Sequence, residues 1–203
     1  NKTKAKFIHF DQVKDWYYKN LHPDNNVMDD QKVYEHVFWN RNYAGIFQFN
    51  QNNVISFMAE MRPKSVVDLA VATSIFRPGP LSISADKLYL SNRLSPTSIR
   101  YKHPLLEEVL SDTCGLIIFQ EQLQLIYHKL AGVPLEETDA VRKAFTKKDI
   151  SNKEKAIKER QVMREDFADR CLAVNEIPKA VSYDIFDEME QFVAYSFNRS
   201  HGI

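Results

Sequence analysis

Apolar residues recur along most of this chain at helical spacing, and the breaks between repeats fall at proline, glycine or short polar runs. Val13 to Leu21 predicts a helix that ends in a loop at His22–Asn26, and Asp30 to Trp39 predicts another, with Val33, Val37 and Phe38 inward. Val54, Phe57, Met58 and Met61 mark the inner face of a third, which Arg62-Pro63 ends. Ser65 caps a fourth, nearly all apolar, with Asp68 at the capping-box position. Ser91 to Pro104 has two prolines and little periodicity, so it predicts a surface loop, and a short helix follows over Leu105–Leu110.

The stretch from Gly115 to Asp149 predicts a central helix pair. Leu116, Ile117, Phe119, Leu123, Ile126, Leu130 and Ala131 spread over most faces of the first helix, the mark of burial, and the polar run Gln120–Gln122 interrupts it near its start. Gly132 stops it and Pro134 opens the second. That helix begins acidic (Glu136, Glu137, Asp139) and ends basic (Arg142, Lys143, Lys147, Lys148), in keeping with the helix dipole. Beyond it, a capping box at Ser151 and Glu154 predicts a long helix whose inner stripe is Ala156, Met163, Phe167, Cys171 and Val174. A last helix after Pro178 turns Val181, Ile185, Phe186, Met189, Phe192 and Val193 inward. The one strand in the pattern is Lys6 to Asp11, short and rich in aromatic and β-branched residues. The expected fold class is therefore mainly α.

Composition narrows the function more than the fold. The 203 residues carry 27 Lys/Arg against 27 Asp/Glu, so any polyanion site must be a local patch. Two cysteines, Cys114 and Cys171, suit buried positions in a reduced, cytoplasmic protein, and no apolar run reaches membrane-spanning length. The chain opens without methionine and closes directly after an amphipathic run, which leads us to expect an internal piece of something larger. No metal-ligand spacing, phosphate-cradling glycine loop or serine nucleophile motif occurs.

Four places carry candidate chemistry, and each has a plain structural reading beside the functional one. Lys143 and Lys147, four apart, share a helix face whose repulsion a bound anion would relieve; alternatively Asp139 pairs Lys143. From Arg142 to Arg164, nine Lys/Arg stand against three Asp/Glu, either a footprint for phosphates or a solvated face. Arg77, leading the Pro78-Gly79-Pro80 turn in which Gly79 is free to take positive φ, either grips phosphate or lies along the surface at a helix end. Asn198, Arg199, Ser200 and His201 either contact phosphate oxygens or finish a polar helix terminus. At the other end, Asp11 either projects a carboxylate from a strand end or caps the next helix.

Taken in order, FRPGPL at Phe76–Leu81, FQEQ at Phe119–Gln122 followed by LAG and D-x-V-R-K-A-F-x-K-K, and FNRSH at Phe197–His201 resemble the bacterial C-family replicative DNA polymerases, the alpha subunits of polymerase III. FIHFD, IFQF at Ile46–Phe49 and YKHPLLEEVL at Tyr101–Leu110 fit as well. The sequence departs from the usual family pattern at Thr146, Arg199, Cys114, Ser196 and Asn50.

That resemblance implies a fragment of a multidomain polymerase: residues 1–22 as the end of the palm domain with its short strand, and 23–203 as helical fingers. It implies Asp11 as a catalytic, metal-binding carboxylate of a two-magnesium site whose other members lie outside this chain. Arg77, Arg142, Lys143, Lys147, Lys148, Asn198, Arg199, Ser200 and His201 then bind the nucleotide. The implied partners are primer–template DNA, a dNTP, and a sliding clamp with other replisome subunits reached through other regions; no membrane is involved. A bacterial or phage-infected cytoplasm follows. The alternative is a non-catalytic, helical nucleic-acid-binding module.

Overall fold

The computed structural model describes residues 9–20, 22, 29–146, 153–193 and 195–202. They are mainly helical, and no strand is found among them. The helices are α1 (Phe10–Asn20), α2 (Gln31–Val33), which runs into a π-helical turn over Tyr34–Trp39, α3 (Asn52–Met61), α4 (Val66–Ile75), α5 (Pro78–Ser82) and α6 (Ala85–Leu94). After these come α7 (Pro104–Leu110), α8 (Gln120–Ala131), α9 (Thr138–Thr146), α10 (Lys153–Asn175), α11 (Lys179–Val193) and α12 (Arg199–Gly202).

Two hydrophobic cores form. One gathers the Tyr34–Trp39 turn, α3, α4 and α6 around Tyr34, Phe57, Met58, Ile75 and Tyr89. The other gathers α7 to α11 around Leu123, Ile126, Leu130, Phe167 and Phe186. The extended segment Leu116–Phe119 runs between them and serves both: Leu116, Ile118 and Phe119 enter the first core while Ile117 enters the second. Leu116, Ile117 and Ile118 alternate between the cores as the side chains of an extended chain do, and Phe119 follows Ile118 into the first, so this segment joins the two.

Several expectations change here. Leu116 to Phe119 precede α8 rather than belonging to it, and Gln120–Gln122 form its first turn. The polar run is a helix start, not an interruption. The second helix of the pair begins at Thr138, because Leu135–Glu137 make a 3-10 turn first. Phe10 and Asp11 lie in helix α1, so the strand ending at Asp11 is overturned for those two residues; Lys6 to Ile8 lie outside the described residues. The carboxylate of Asp11 suits the first turn of a helix, where the dipole favours negative charge.

At Phe76-Arg77-Pro78 the chain does not make an open turn with Gly79 at positive φ. Arg77 is the N-cap of α5 and Pro78 occupies its first turn. Glycine is required at 79 for space instead, since a Cβ there would sit 1.8 Å from the Tyr195 ring. In the second helix Tyr34 and Phe38 are the buried pair, while Val33 is exposed. The buried pair keeps the four-residue spacing but lies one position on from Val33 and Val37. On α10, Phe167 and Cys171 are buried as expected, but Val174 is exposed. Pro23–Asn26 and the Ser151 cap lie outside the described residues.

The supposed loop Ser91–Pro104 contains a fold anchor. Ser91–Leu94 complete α6, and Arg93 reaches back to α4. Its Nη1 and Nη2 lie 2.7 and 2.8 Å from the two Asp68 oxygens, while Nε donates to the Met61 carbonyl at 2.9 Å. Asp68 also closes the α4 cap, accepting from Lys64 N at 2.8 Å. Burial and this carboxylate have opposite effects on Arg93, and its pKa ends above the usual arginine range. Removing one partner of such a bidentate pair strands the other charge. Arg93→Met should therefore cost the chain about 3 kcal/mol in urea unfolding, and a loss under about 0.5 kcal/mol would show the pair to be ornamental.

Candidate functional site

The site is built on a short parallel pairing of two segments far apart in sequence. Gln120 N–H donates to the Phe197 carbonyl at 2.8 Å, and Phe197 N–H donates to the Ile118 carbonyl at 2.9 Å. Phe119 and Phe197 are thereby bridged in parallel.

Gln122 holds the inner segment of that pairing. Its side chain is 3% exposed, and Oε1 accepts from Ile118 N–H at 2.8 Å and Phe119 N–H at 2.9 Å. Nε2 donates to Thr113 Oγ1 at 2.6 Å and to the Val109 carbonyl at 3.3 Å. Thr113 Oγ1 in turn donates to the Leu116 carbonyl at 2.6 Å. Every donor and acceptor of the carboxamide is used, so a polar group fully inside the core costs little.

The C-terminal run docks on this frame. Glu121, in the first turn of α8, accepts from Arg199 N–H with both oxygens at 3.1 and 3.0 Å. The Arg199 guanidinium lies 5.6 Å above the Phe119 ring centroid and 3.4 Å from Asp112. Asn198 accepts from His201 N–H at 3.0 Å and so caps α12, while the His201 ring sits 5.4 Å from that of Phe197. Arg77 also packs on Phe197. Its guanidinium is 4.6 Å from the ring centroid, Nη2 donates to the Tyr195 carbonyl at 2.6 Å and Nε to Ser74 at 3.0 Å. Partial burial lowers the Arg77 pKa from its usual value, and no carboxylate among the described residues pairs with it. Two of its donors serve the backbone; the rest of the fork remains for an anion.

Arg142 joins the same region through Gln120, whose Oε1 it reaches at 3.4 Å. It also grips Asp139 (Nε–Oδ1 2.8 Å), and Lys143 lies 2.7 Å from the other oxygen of that carboxylate. The two cations, Lys143 foremost, hold the Asp139 carboxyl below its usual range. The local pairing weighed for Lys143 is therefore present, with the Lys143 side chain still 70% exposed. Lys147 and Lys148 lie outside the described residues. Ser200 is exposed on α12.

Arg77, Arg142, Asn198, Arg199 and His201 are thus brought around one seam, and Lys143 stands one helical step from Arg142. Asp11 is not linked to them by any contact described. It sits on α1, which buries none of its residues, with His9 Nδ1 at 3.2 Å. One exposed carboxylate is not a magnesium site, and among the described residues no group of three or more acidic, His or Cys side chains could hold a metal. The basic footprint from Arg142 to Arg164 is also reduced: Arg160 pairs with Glu190 at 3.0 Å, and Arg164 grips Asp187 with two bonds of 2.7 and 2.8 Å. These pairs fasten α10 to α11. Gln122 and Glu121 were missed as site builders; a polar triplet ahead of an apolar helix was the available signal.

The described residues thus form a helical domain that gathers arginines around a paired backbone seam. Comparison with known proteins narrows the class. The family described as the bacterial DNA polymerase III alpha subunit finger domain matches residues 8–170. A DNA polymerase III subunit alpha of Staphylococcus epidermidis is 35% identical over 175 residues, 86% of this chain and 15% of that protein. The Chlamydia trachomatis protein of the same name is 33% identical over 174 residues, 86% of this chain and 13% of that one. A Staphylococcus aureus counterpart is 32% identical over 192 residues, 95% of this chain and 17% of its own length. This chain belongs to the finger-domain family of bacterial DNA polymerase III alpha subunits, and it spans under a fifth of the length of these relatives.

Gln122→Leu keeps the volume but leaves two buried N–H groups without an acceptor. It should destabilise the chain by about 2–4 kcal/mol and speed amide exchange at Ile118 and Phe119. Wild-type protection of both amides in the variant would show that the carboxamide does not hold the segment.

Proposed function

We propose that this chain forms the part of a DNA-directed DNA polymerase that closes on the triphosphate of an incoming dNTP opposite a DNA template. The observation that carries the reading is the gathering of Arg77, Arg142 and Arg199 around the Phe119–Phe197 pairing, with Arg77 half-buried and free of a carboxylate partner among the described residues. An arginine fork that is desolvated and unneutralised is suited to phosphate oxygens.

In this reading Arg77, Arg142, Lys143 and Arg199 balance the phosphate charge, while His201 and Ser200 donate hydrogen bonds at the rim and Asn198 fixes the α12 turn that presents them. Lys147 and Lys148 extend the same basic run. Nucleotidyl transfer then draws on positioning and electrostatics from these residues. We assign residues 1–22 to the end of the palm and 23–203 to the fingers, with Asp11 as one ligand of a two-magnesium site that must be completed by other carboxylates. Primer–template DNA is the partner, sliding-clamp and replisome contacts fall to other regions of the protein, and the setting is a bacterial or phage-infected cytoplasm. The alternative of a non-catalytic nucleic-acid-binding module leaned on the Arg142–Arg164 charge excess, much of which is spent on ion pairs within the fold.

In the full-length enzyme, Arg77→Ala and Lys143→Ala should each lower single-nucleotide incorporation, Arg77→Ala by about a hundredfold by analogy with loss of one preorganised donor. The thermal midpoint should stay close to wild type for Lys143→Ala. Near-normal incorporation by both variants would contradict the assignment.

A further inference from the structure

The segment between the π-helical turn and α3 holds a surface that the phosphate site does not use. Tyr43 and Phe49 are buried at its two ends, and their rings pack with Phe38 at centroid separations of 6.2 and 6.0 Å. Tyr43 OH donates to the Phe38 carbonyl at 2.7 Å, and the turn closes through Ile46 N–H to Tyr43 and Phe49 N–H to Ile46. Between these anchors Phe47 stands 84% exposed, the barest large apolar side chain among the described residues. A ring so placed on a propped turn keeps its face bare in the folded chain.

Its neighbours have one chemistry. Gln48, Asn50, Gln51, Asn52 and Asn53 are all exposed carboxamides, and no charged side chain falls between Phe47 and Met58. Carboxamides offer a donor and an acceptor together, the pattern that base edges match; phosphates call for cations instead. An aromatic face with amides around it is the combination that holds an unpaired base by stacking and edge contacts. The location agrees. Gln48, Phe49 and Gln51 line a hollow of about 60 Å³ with Thr73 and Phe76, at the end of α4 that leads into Arg77.

We infer that Phe47 and the surrounding carboxamides form a nucleobase-stacking subsite beside the phosphate-binding arginines. The inference rests on the polymerase reading above and adds a residue to it. The base can belong to the template strand or to the incoming nucleotide, and the two differ in what the loss of the ring changes.

The test uses the full-length enzyme with Phe47→Ala, Phe47→Leu and Phe47→Tyr, and Arg77→Ala alongside. The probes are a primer–template carrying 2-aminopurine in its unpaired template overhang, and a dNTP titration in single-turnover incorporation. We expect Phe47→Ala to weaken one of these by about tenfold, Phe47→Tyr to restore it, and Phe47→Leu to fail, with an unchanged thermal midpoint because the ring is uncovered. Altered 2-aminopurine fluorescence and primer–template affinity assign the template base; a raised dNTP half-saturation alone assigns the incoming base. Full activity of Phe47→Leu would replace stacking by plain apolar contact and overturn the subsite. Wild-type behaviour of Phe47→Ala beside a crippled Arg77→Ala would remove the subsite and leave the polymerase reading standing; wild-type behaviour of both would remove both.

Discussion

The carboxamide of Gln122 is the constraint on which the rest of this structure depends. Buried between two cores, it accepts the N–H groups of Ile118 and Phe119 and donates to Thr113 and Val109. An extended segment inside a helical protein has no ladder to satisfy its backbone, and each buried amide left open costs about 1–3 kcal/mol. One side chain meets two of these amides. The Ile118 carbonyl and the Gln120 N–H then form the edge that takes Phe197.

The placement of Arg77 and Arg199 follows from that edge. Pairing with Phe197 brings residues 195–202 against α4 and the start of α8, where Glu121 anchors Arg199 and the Tyr195 carbonyl anchors Arg77. Gly79 permits the approach, because Tyr195 occupies the space a side chain would fill. Gly202 plays the same part against Ala70, with a Cβ only 3.0 Å from it. Arg77 is therefore positioned by backbone carbonyls and an aromatic face, which fix its direction without cancelling its charge, while Arg142 and Arg199 also meet the carboxylates of Asp139 and Asp112. Contrast Arg93, whose charge Asp68 takes up whole, and Arg164, which Asp187 takes up at the surface. Arg77 keeps donors that can address a ligand; Arg93 and Arg164 hold helices together.

Much of the helical pattern was legible because burial repeats at a fixed period: Val54, Phe57, Met58 and Met61 all lie in the core, as do Phe167, Cys171, Ile185, Phe186 and Met189. What periodicity could not separate was an apolar run that is extended from one that is helical, so Leu116–Phe119 were read into α8. Both are continuous stretches of large side chains, and only the partner across the space decides between them. Phe10 and Asp11 failed for a related reason, since aromatic and β-branched content describes a strand but a first-turn Asp describes a helix equally well. Arg93 was hidden in a stretch whose prolines advertised a loop. At the site, Arg77 and the 198–201 run were visible as donor-rich clusters, whereas their joining across 118 residues was not, because no local rule encodes a long-range backbone pairing.

The central claim is that one seam, fixed by Gln122, turns Arg77, Arg142 and Arg199 toward a common anion. The most direct measurement is a crystal structure of the full-length protein with primer–template and an incoming dNTP. The account predicts phosphate oxygens within hydrogen-bond reach of at least Arg77 and one of the other two, with the Phe119–Phe197 pairing intact. A triphosphate bound elsewhere, with these guanidiniums facing only protein or solvent, would contradict it.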